Sequence, residues 1–232
     1  MRVLVTRPEP GATRTARKLA ALGFEPVLLP LTRIEPLPLD ALPDLEKFSA
    51  VAIPSANAVR HLPPAFLKQI SHLPAFAVGE RTGQVAAEAG LSVSDSSAGD
   101  AQRLAGRIID TVASGSHILY LCGRVRRNIL ESRLTAAGLP VTAVETYDTM
   151  PLPISNDEFR DATANRPIDS VLVYSAFAAE VLSPFVSLLK TALFIAISER
   201  VAQKLPDIAG MRVLAAREPT EEAMLSMLPR RD

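Results

Sequence analysis

Small and hydroxylated residues recur in this chain directly after apolar runs, and that placement is where chemistry is to be sought. Ser55-Ala56-Asn57-Ala58 follows Val51-Ala52-Ile53-Pro54, and Ser175-Ala176-Phe177-Ala178 follows Val171-Leu172-Val173-Tyr174. Gly79-Glu80-Arg81-Thr82 comes after Phe76-Ala77-Val78, and Ser198-Glu199-Arg200 after Ile195-Ala196-Ile197. Two further runs end at Thr6-Arg7 and at Gly123-Arg124. Each pattern predicts a strand turning into a helix start. The first N–H groups of a helix lack intrahelical partners, so with a hydroxyl beside them they receive a carboxylate or phosphate. Thr6, Arg7, Ser55, Ala56, Asn57, Gly79, Arg81, Thr82, Gly123, Arg124, Ser175, Ala176, Phe177, Ser198 and Arg200 are therefore candidate contacts to a small polyanion.

Each of these residues also has a plainer reading. Ser55, Thr82 and Ser175 serve equally well as helix N-caps, and Gly79 as a tight turn. Arg124, Arg126 and Arg127 at a helix start oppose the helix dipole, which points to an anion; the other reading is a solvated surface. Cys122 ends an apolar strand and reads as core more readily than as nucleophile. His61, His72 and His117 have no metal-binding or catalytic spacing, and a single cysteine excludes an internal disulfide. Phosphate-loop, dinucleotide-fingerprint and nucleophile-elbow patterns are absent, so no nucleotide cofactor or metal is expected.

The elements that position these residues are laid out twice. Phe76 to Thr82 is answered by Ile195 to Val201, 119 residues later, and Ser55-Ala56 by Ser175-Ala176, 120 later. Arg2-Val3-Leu4-Val5 leads to a helical pattern through Ala16, Leu19 and Leu22 that stops at Gly23, then to a strand from Val27 to Leu31. Ile118 to Cys122 leads to a helix through Ile129, Leu130, Leu134 and Ala137, stopping at Gly138, then to a strand from Val141 to Tyr147. Ser92-Val93 before Leu104 and Ile108 matches Arg212-Val213 before Met224 and Leu228. A series at nearly one offset indicates a duplicated unit. Strands alternating with helices make the fold class α/β: two doubly wound parallel-sheet lobes joined by two extended crossings.

Prolines 30, 36, 38 and 43 on one side, and 151 and 153 on the other, punctuate the chain. They predict one lobe from residues 1–31 plus 152–232 and another from 40–142, with 32–39 and 143–151 as inter-lobe strands; a break near residue 115 is the competing division. Twenty-five basic residues balance 25 acidic ones, so no net field draws nucleic acid or an anionic membrane. No run of about 18 apolar residues occurs, and the first residues read as a strand instead of a signal segment. A cytoplasmic monomer with two mobile lobes is the expectation.

Taken in series, Thr6-Arg7-Pro8, Ser55-Ala56-Asn57-Ala58-Val59, Val78-Gly79-Glu80-Arg81-Thr82, Val144-Glu145-Thr146-Tyr147-Asp148-Thr149, Val173-Tyr174-Ser175, Ile197-Ser198 and Pro219-Thr220-Glu221-Glu222-Ala223 resemble uroporphyrinogen-III synthase, in order and over nearly the whole chain. The resemblance implies that the two crossings form a two-stranded ladder, and it implies a cofactor-free enzyme that closes the linear tetrapyrrole hydroxymethylbilane, inverting its last ring, to give uroporphyrinogen III and water. It also implies that Tyr147 assists departure of the substrate hydroxyl, the other reading being a tyrosine that anchors an inter-lobe strand, and that Ser55, Thr82 and Ser175 face substrate. Thr146 stands where the family commonly has Val, Pro54 where it tends to have Thr, and Ser198 and Val201 where it has Gly and Thr. The rival expectations are a non-catalytic two-lobed binder of a polyanion, or an inactive family member, and a nucleotide-dependent transferase.

Overall fold

The structure, a computed structural model, describes residues 1–39 and 44–229; Pro43 and the first residues of the expected 40–142 lobe fall outside that range. The elements in chain order are β1 (Arg2–Val5), α1 (Gly11–Ala21), β2 (Glu25–Leu28), β3 (Thr32–Pro36), β4 (Phe48–Ile53), α2 (Ala56–Arg60), α3 (Pro64–Ile70), β5 (Pro74–Ala77), α4 (Glu80–Glu88), β6 (Ser92–Asp95) and α5 (Ala101–Thr111). They continue with β7 (His117–Gly123), α6 (Ile129–Ala136), β8 (Val141–Pro151), α7 (Asn156–Ala162), β9 (Ser170–Val173), α8 (Ala176–Leu182), β10 (Leu193–Ala196), α9 (Glu199–Ala202), β11 (Arg212–Ala215) and α10 (Glu221–Ser226). Two compact units result, one from Met1–Arg33 with Met150–Asp232, the other from Ile34–Thr149.

The first unit holds a sheet of order β11-β10-β9-β1-β2, the second a sheet of order β3-β8-β7-β4-β5-β6. Reading β7 to β11 as the second copies of β1, β2, β4, β5 and β6 makes the two orders the same. Register confirms the equivalence: Leu4 pairs with Val171 as Leu119 pairs with Val51. Each sheet therefore takes the first two strands of one copy and the last three of the other. All the pairings within these sets are parallel. The extra edge strand β3 runs the other way along β8, since Leu37 N–H donates to Thr146 O while Leu152 N–H donates to Leu31 O.

Parallel strands covered on both faces read as continuous apolar runs, and alternate residues fill separate cores. On β9, Val171 and Val173 join one cluster and Leu172 the other; on β4, Val51 and Ile53 face one side and Ala50 and Ala52 the other. The expected helix stops hold. Gly23 and Gly138 have φ of +82° and +76°, and the residue after each donates back into the helix, Phe24 to Leu19 O and Leu139 to Leu134 O. Only glycine takes that left-handed conformation without strain. The strand expected at Val27–Leu31 is instead β2, Glu25–Leu28, with Leu29 and Leu31 still donating to Val5 O and Thr6 O. Pro30 between them has no N–H and interrupts the ladder.

Candidate functional site

In the second unit the candidate residues gather where β4, β5 and β7 end and β8 passes beside them. Ser55 caps α2 in extended conformation, its Oγ accepting the Asn57 N–H at 3.2 Å. The Asn57 Oδ1 accepts from Arg60 at 2.8 Å, which fixes the amide along its own helix. Tyr147 reaches the same place from β8 by an irregular register. Cys122 pairs with Glu145, but Gly123 pairs with Tyr147, so one extra residue is accommodated on β8. That insertion changes the parity of the strand. Val144 and Tyr147, three apart, consequently pack against the same core.

The extra residue is held by Thr146, fully buried, whose hydroxyl donates to Cys122 O at 3.4 Å. A valine there has no such bond to make. Beyond it, Arg124 N–H donates to Tyr147 O at 2.9 Å. The phenol ring then lies directly over Gly123: a Cβ on that glycine would come within 2.6 Å of the Tyr147 Cζ. Burial raises the Tyr147 pKa, a hydrogen bond with the Ser55 hydroxyl works the other way, and the nearby Cys122 adds to the rise. The His61 ring flanks Tyr147 at 6.3 Å between centroids, with its own pKa lowered by burial and by the Arg60 charge. His61 escaped the sequence reading because nothing in its spacing sets it apart.

Gly79 caps α4 without a side-chain bond, in extended backbone that any residue adopts, and a Cβ there would meet nothing. Neither turn geometry nor packing demands glycine at this position. Thr82 is the third residue of α4 and not its cap; it is buried and its N–H returns to Gly79 O. Arg81 is exposed and bonds Gln84 at 2.7 Å. Arg124 is taken up by Glu145 at 3.2 Å and Asp148 at 3.4 Å, so its charge is answered within the protein. Cys122 is core: burial pushes its thiol up to about 12, and Sγ sits 3.6 Å from Val144 O.

The first unit arranges its residues differently. Thr6 is fully buried and donates to Leu172 O at 2.9 Å, so strand β9 uses its hydroxyl. Arg7 stacks 4.2 Å over the Tyr174 ring and bonds Glu221 at 3.0 Å. Glu221 is also approached by the Tyr174 hydroxyl at 3.0 Å, by Lys18 and by Thr15. Burial works to raise the Glu221 pKa, but the bonds from Lys18 and Thr15 and the Arg7 charge prevail and lower it. Burial raises the Tyr174 pKa above that of an ordinary phenol. Arg7 is thus one member of a satisfied network instead of a loose cation, and Tyr174 joins it unannounced by the sequence. Ser175 caps α8, accepting the Ala178 N–H at 3.0 Å, with Ala176 and Phe177 in the first turn half-buried. Ser198 stands at the start of α9 with no side-chain cap, and Arg200 is exposed beside it.

Among the described residues no group of three His, Cys, Asp or Glu is placed to hold a metal ion, and no helix is long and apolar enough to cross a membrane. The family model described as "HEM4: Uroporphyrinogen-III synthase HemD" matches residues 13–226. No curated protein matches the chain. Among solved structures, uroporphyrinogen-III synthetase from Helicobacter pylori 26695 is similar at 20% identity and TM-score 0.69, covering 98% of each chain. A mutant uroporphyrinogen III synthase from the extremely thermophilic bacterium Thermus thermophilus is similar at 18% identity and TM-score 0.59, covering 97% of this chain and 96% of that one. At these identities the structures speak for the fold, while the family model speaks for kinship.

Proposed function

This chain belongs to the uroporphyrinogen-III synthase family, and we propose that within its reaction, closure of hydroxymethylbilane with inversion of the last ring, Tyr147 is the general acid. The substrate loses its terminal hydroxyl to give an azafulvene. The substituted carbon of the fourth ring attacks the methylene carbon that lost the hydroxyl, and the spiro intermediate fragments and recloses. Water is the only other product, so the protein must deliver a proton to the leaving oxygen and impose geometry on a chain that also closes unaided without inversion.

The observation that carries this reading is the different use of two tyrosine hydroxyls. Tyr174 donates its proton to Glu221 and has none left for a substrate. Tyr147 has Ser55 as its hydrogen-bonding neighbour. The Ser55 Oγ accepts the Asn57 N–H, and in this reading the serine gives its own proton to the Tyr147 Oη. That arrangement leaves the phenol proton for the departing hydroxyl. The Ser55 bond strengthens as the phenol gains negative charge, which is the condition for lowering a barrier instead of merely binding.

The substrate carries eight carboxylates. In the second unit, the uncovered start of α4 at Gly79 and the Arg81 guanidinium are suited to one of them. In the first unit, Arg200 at the start of α9 supplies a cation where the family has a glycine loop. Product analysis tests the assignment of the acid. Freshly made hydroxymethylbilane is supplied, the reaction is stopped quickly and oxidised, and the uroporphyrin isomers are separated. Wild type should yield isomer III. Tyr147→Phe should form it at least several-fold more slowly, with folding intact; an unchanged rate removes Tyr147 from the acid role, and isomer I from wild type removes the activity itself.

A further inference from the structure

We propose that Gly123 is a positioning residue: its missing side chain is the seat that holds the reacting end of the Tyr147 phenol. The inference rests on the reading of Tyr147 as the acid but comes from a separate observation. A Cβ at position 123 would lie 2.6 Å from the Tyr147 Cζ, 2.7 Å from Cε2 and 2.9 Å from Oη. It would strike the end of the ring that carries the proton. Distances under 3 Å from carbon to carbon are not sustained, so either the ring or the strand must move.

The ring has few ways to give. Its backbone is pinned to the seat, since Gly123 and Tyr147 are register partners and the next residue, Arg124, donates its N–H to Tyr147 O. The extra residue just before it is secured through the Thr146 hydroxyl on Cys122 O. The ring also packs against the core of the second unit, with His61 on its flank. Cζ and Oη lie on the χ2 axis and do not move with it, so rotation about χ1 is the remaining escape, and it swings the hydroxyl off its seat. The glycine is not needed for backbone freedom, because its φ lies outside the left-handed region. Gly79 provides the contrast, for there a Cβ meets nothing. The ring, and not the turn, requires glycine at 123.

Four variants read this out: Gly123→Ala, Tyr147→Phe, Tyr147→Ala and the double Gly123→Ala/Tyr147→Ala. In Gly123→Ala, kcat for isomer III should fall at least about tenfold with KM within about twofold, because geometry is lost and binding is not. The chain has no tryptophan and three tyrosines, so tyrosinate absorbance followed against Tyr147→Phe isolates the Tyr147 titration. In Gly123→Ala that titration should move down toward an ordinary phenol as the ring is displaced into water. Thermal melting supplies a coupling: Gly123→Ala should lower Tm in the wild-type background and leave it unmoved where Tyr147 is already alanine. An equal Tm loss in both backgrounds, or wild-type kcat with an unshifted titration, overturns the proposal. Should Tyr147→Phe be fully active while Gly123→Ala still moves the titration and couples to Tyr147, the acid reading falls and the seat stands. Should Tyr147→Phe be slow and Gly123→Ala change nothing, the seat falls and the acid stands.

Discussion

Replacing Ser55 by alanine separates the two services its hydroxyl performs. As a helix cap it accepts the Asn57 N–H at 3.2 Å. Losing a serine cap costs about 1 kcal/mol, which in a chain of this size lowers Tm by roughly 2–4 °C. As neighbour to Tyr147, in the proposed mechanism it makes a neutral hydrogen bond in the ground state, contributing about 1 kcal/mol, that becomes charge-assisted as the proton leaves, contributing about 1.5–3 kcal/mol. Only the increase acts on the barrier. About 0.5–2 kcal/mol of transition-state stabilisation is therefore at stake, or roughly a 2–30-fold fall in kcat with KM nearly unchanged. Initial rates of isomer III formation over a range of substrate concentrations measure both constants, with spontaneous isomer I subtracted. Ser55→Thr, which keeps a hydroxyl, should recover most of the loss. The reasoning is refuted if Ser55→Ala raises KM and leaves kcat alone, since the hydroxyl then meets a substrate carboxylate directly and polarises nothing. Loss of kcat equal in the alanine and threonine variants would refute it too.

Two further predictions draw on the other loops. Gly79→Ala should melt at or slightly above the wild-type temperature, because the backbone there is ordinary and a methyl meets nothing; if the start of α4 receives a carboxylate, KM should rise, and an unchanged KM would place substrate elsewhere. Glu221→Gln addresses the first unit: the folded-state pKa of Glu221 is depressed, so its stabilisation is present above the ordinary glutamate value of about 4.3 and is lost as pH falls through the lower folded value. The variant should be less stable at pH 7 by about 1–3 kcal/mol and show a shallower acid limb in denaturant titrations; a loss that persists undiminished at about pH 2, below the ordinary carboxylate range, would mean that packing, not charge, is responsible.

The duplication was legible because spacing survives where identity does not, and helix stops were legible because a left-handed residue at Gly23 and Gly138 has a strong chemical preference. Which strands lie side by side was harder to read, since two copies with the same apolar pattern carry equal pairing potential. The site was legible only in outline. Ser55 and Ser175 announce themselves by following strands. Arg7 and Arg124 looked like unclaimed cations because the carboxylates that claim them lie far along the chain: Glu221 for the one, Glu145 and Asp148 for the other. Thr6 looked like a loop hydroxyl, yet strand β9 buries it. The role of Gly123 was hidden for a different reason. A glycine after a strand reads as a turn, and only the irregular pairing of β7 with β8 brings a phenol onto it.

The same equivalence bears on why the acid role is proposed for one tyrosine and not for the other. Ser55 and Ser175 occupy matching positions in the two copies, and each caps the helix that follows its strand. One residue earlier the copies part: Pro54 in one, Tyr174 in the other. Where tyrosine occupies that strand end, Arg7 covers its face and Glu221 takes its proton, so the phenol is spent on holding the first unit together. Where proline occupies it, a side chain from β8 comes beside the serine instead, and among the described residues Tyr147 meets the Ser55 hydroxyl there and no carboxylate. A carboxylate partner would have held the proton that the reaction needs. A duplicated scaffold thus keeps the serine-capped helix start in both halves, and the proposed acid lies in the half where, among the described residues, no glutamate is bonded to the tyrosine.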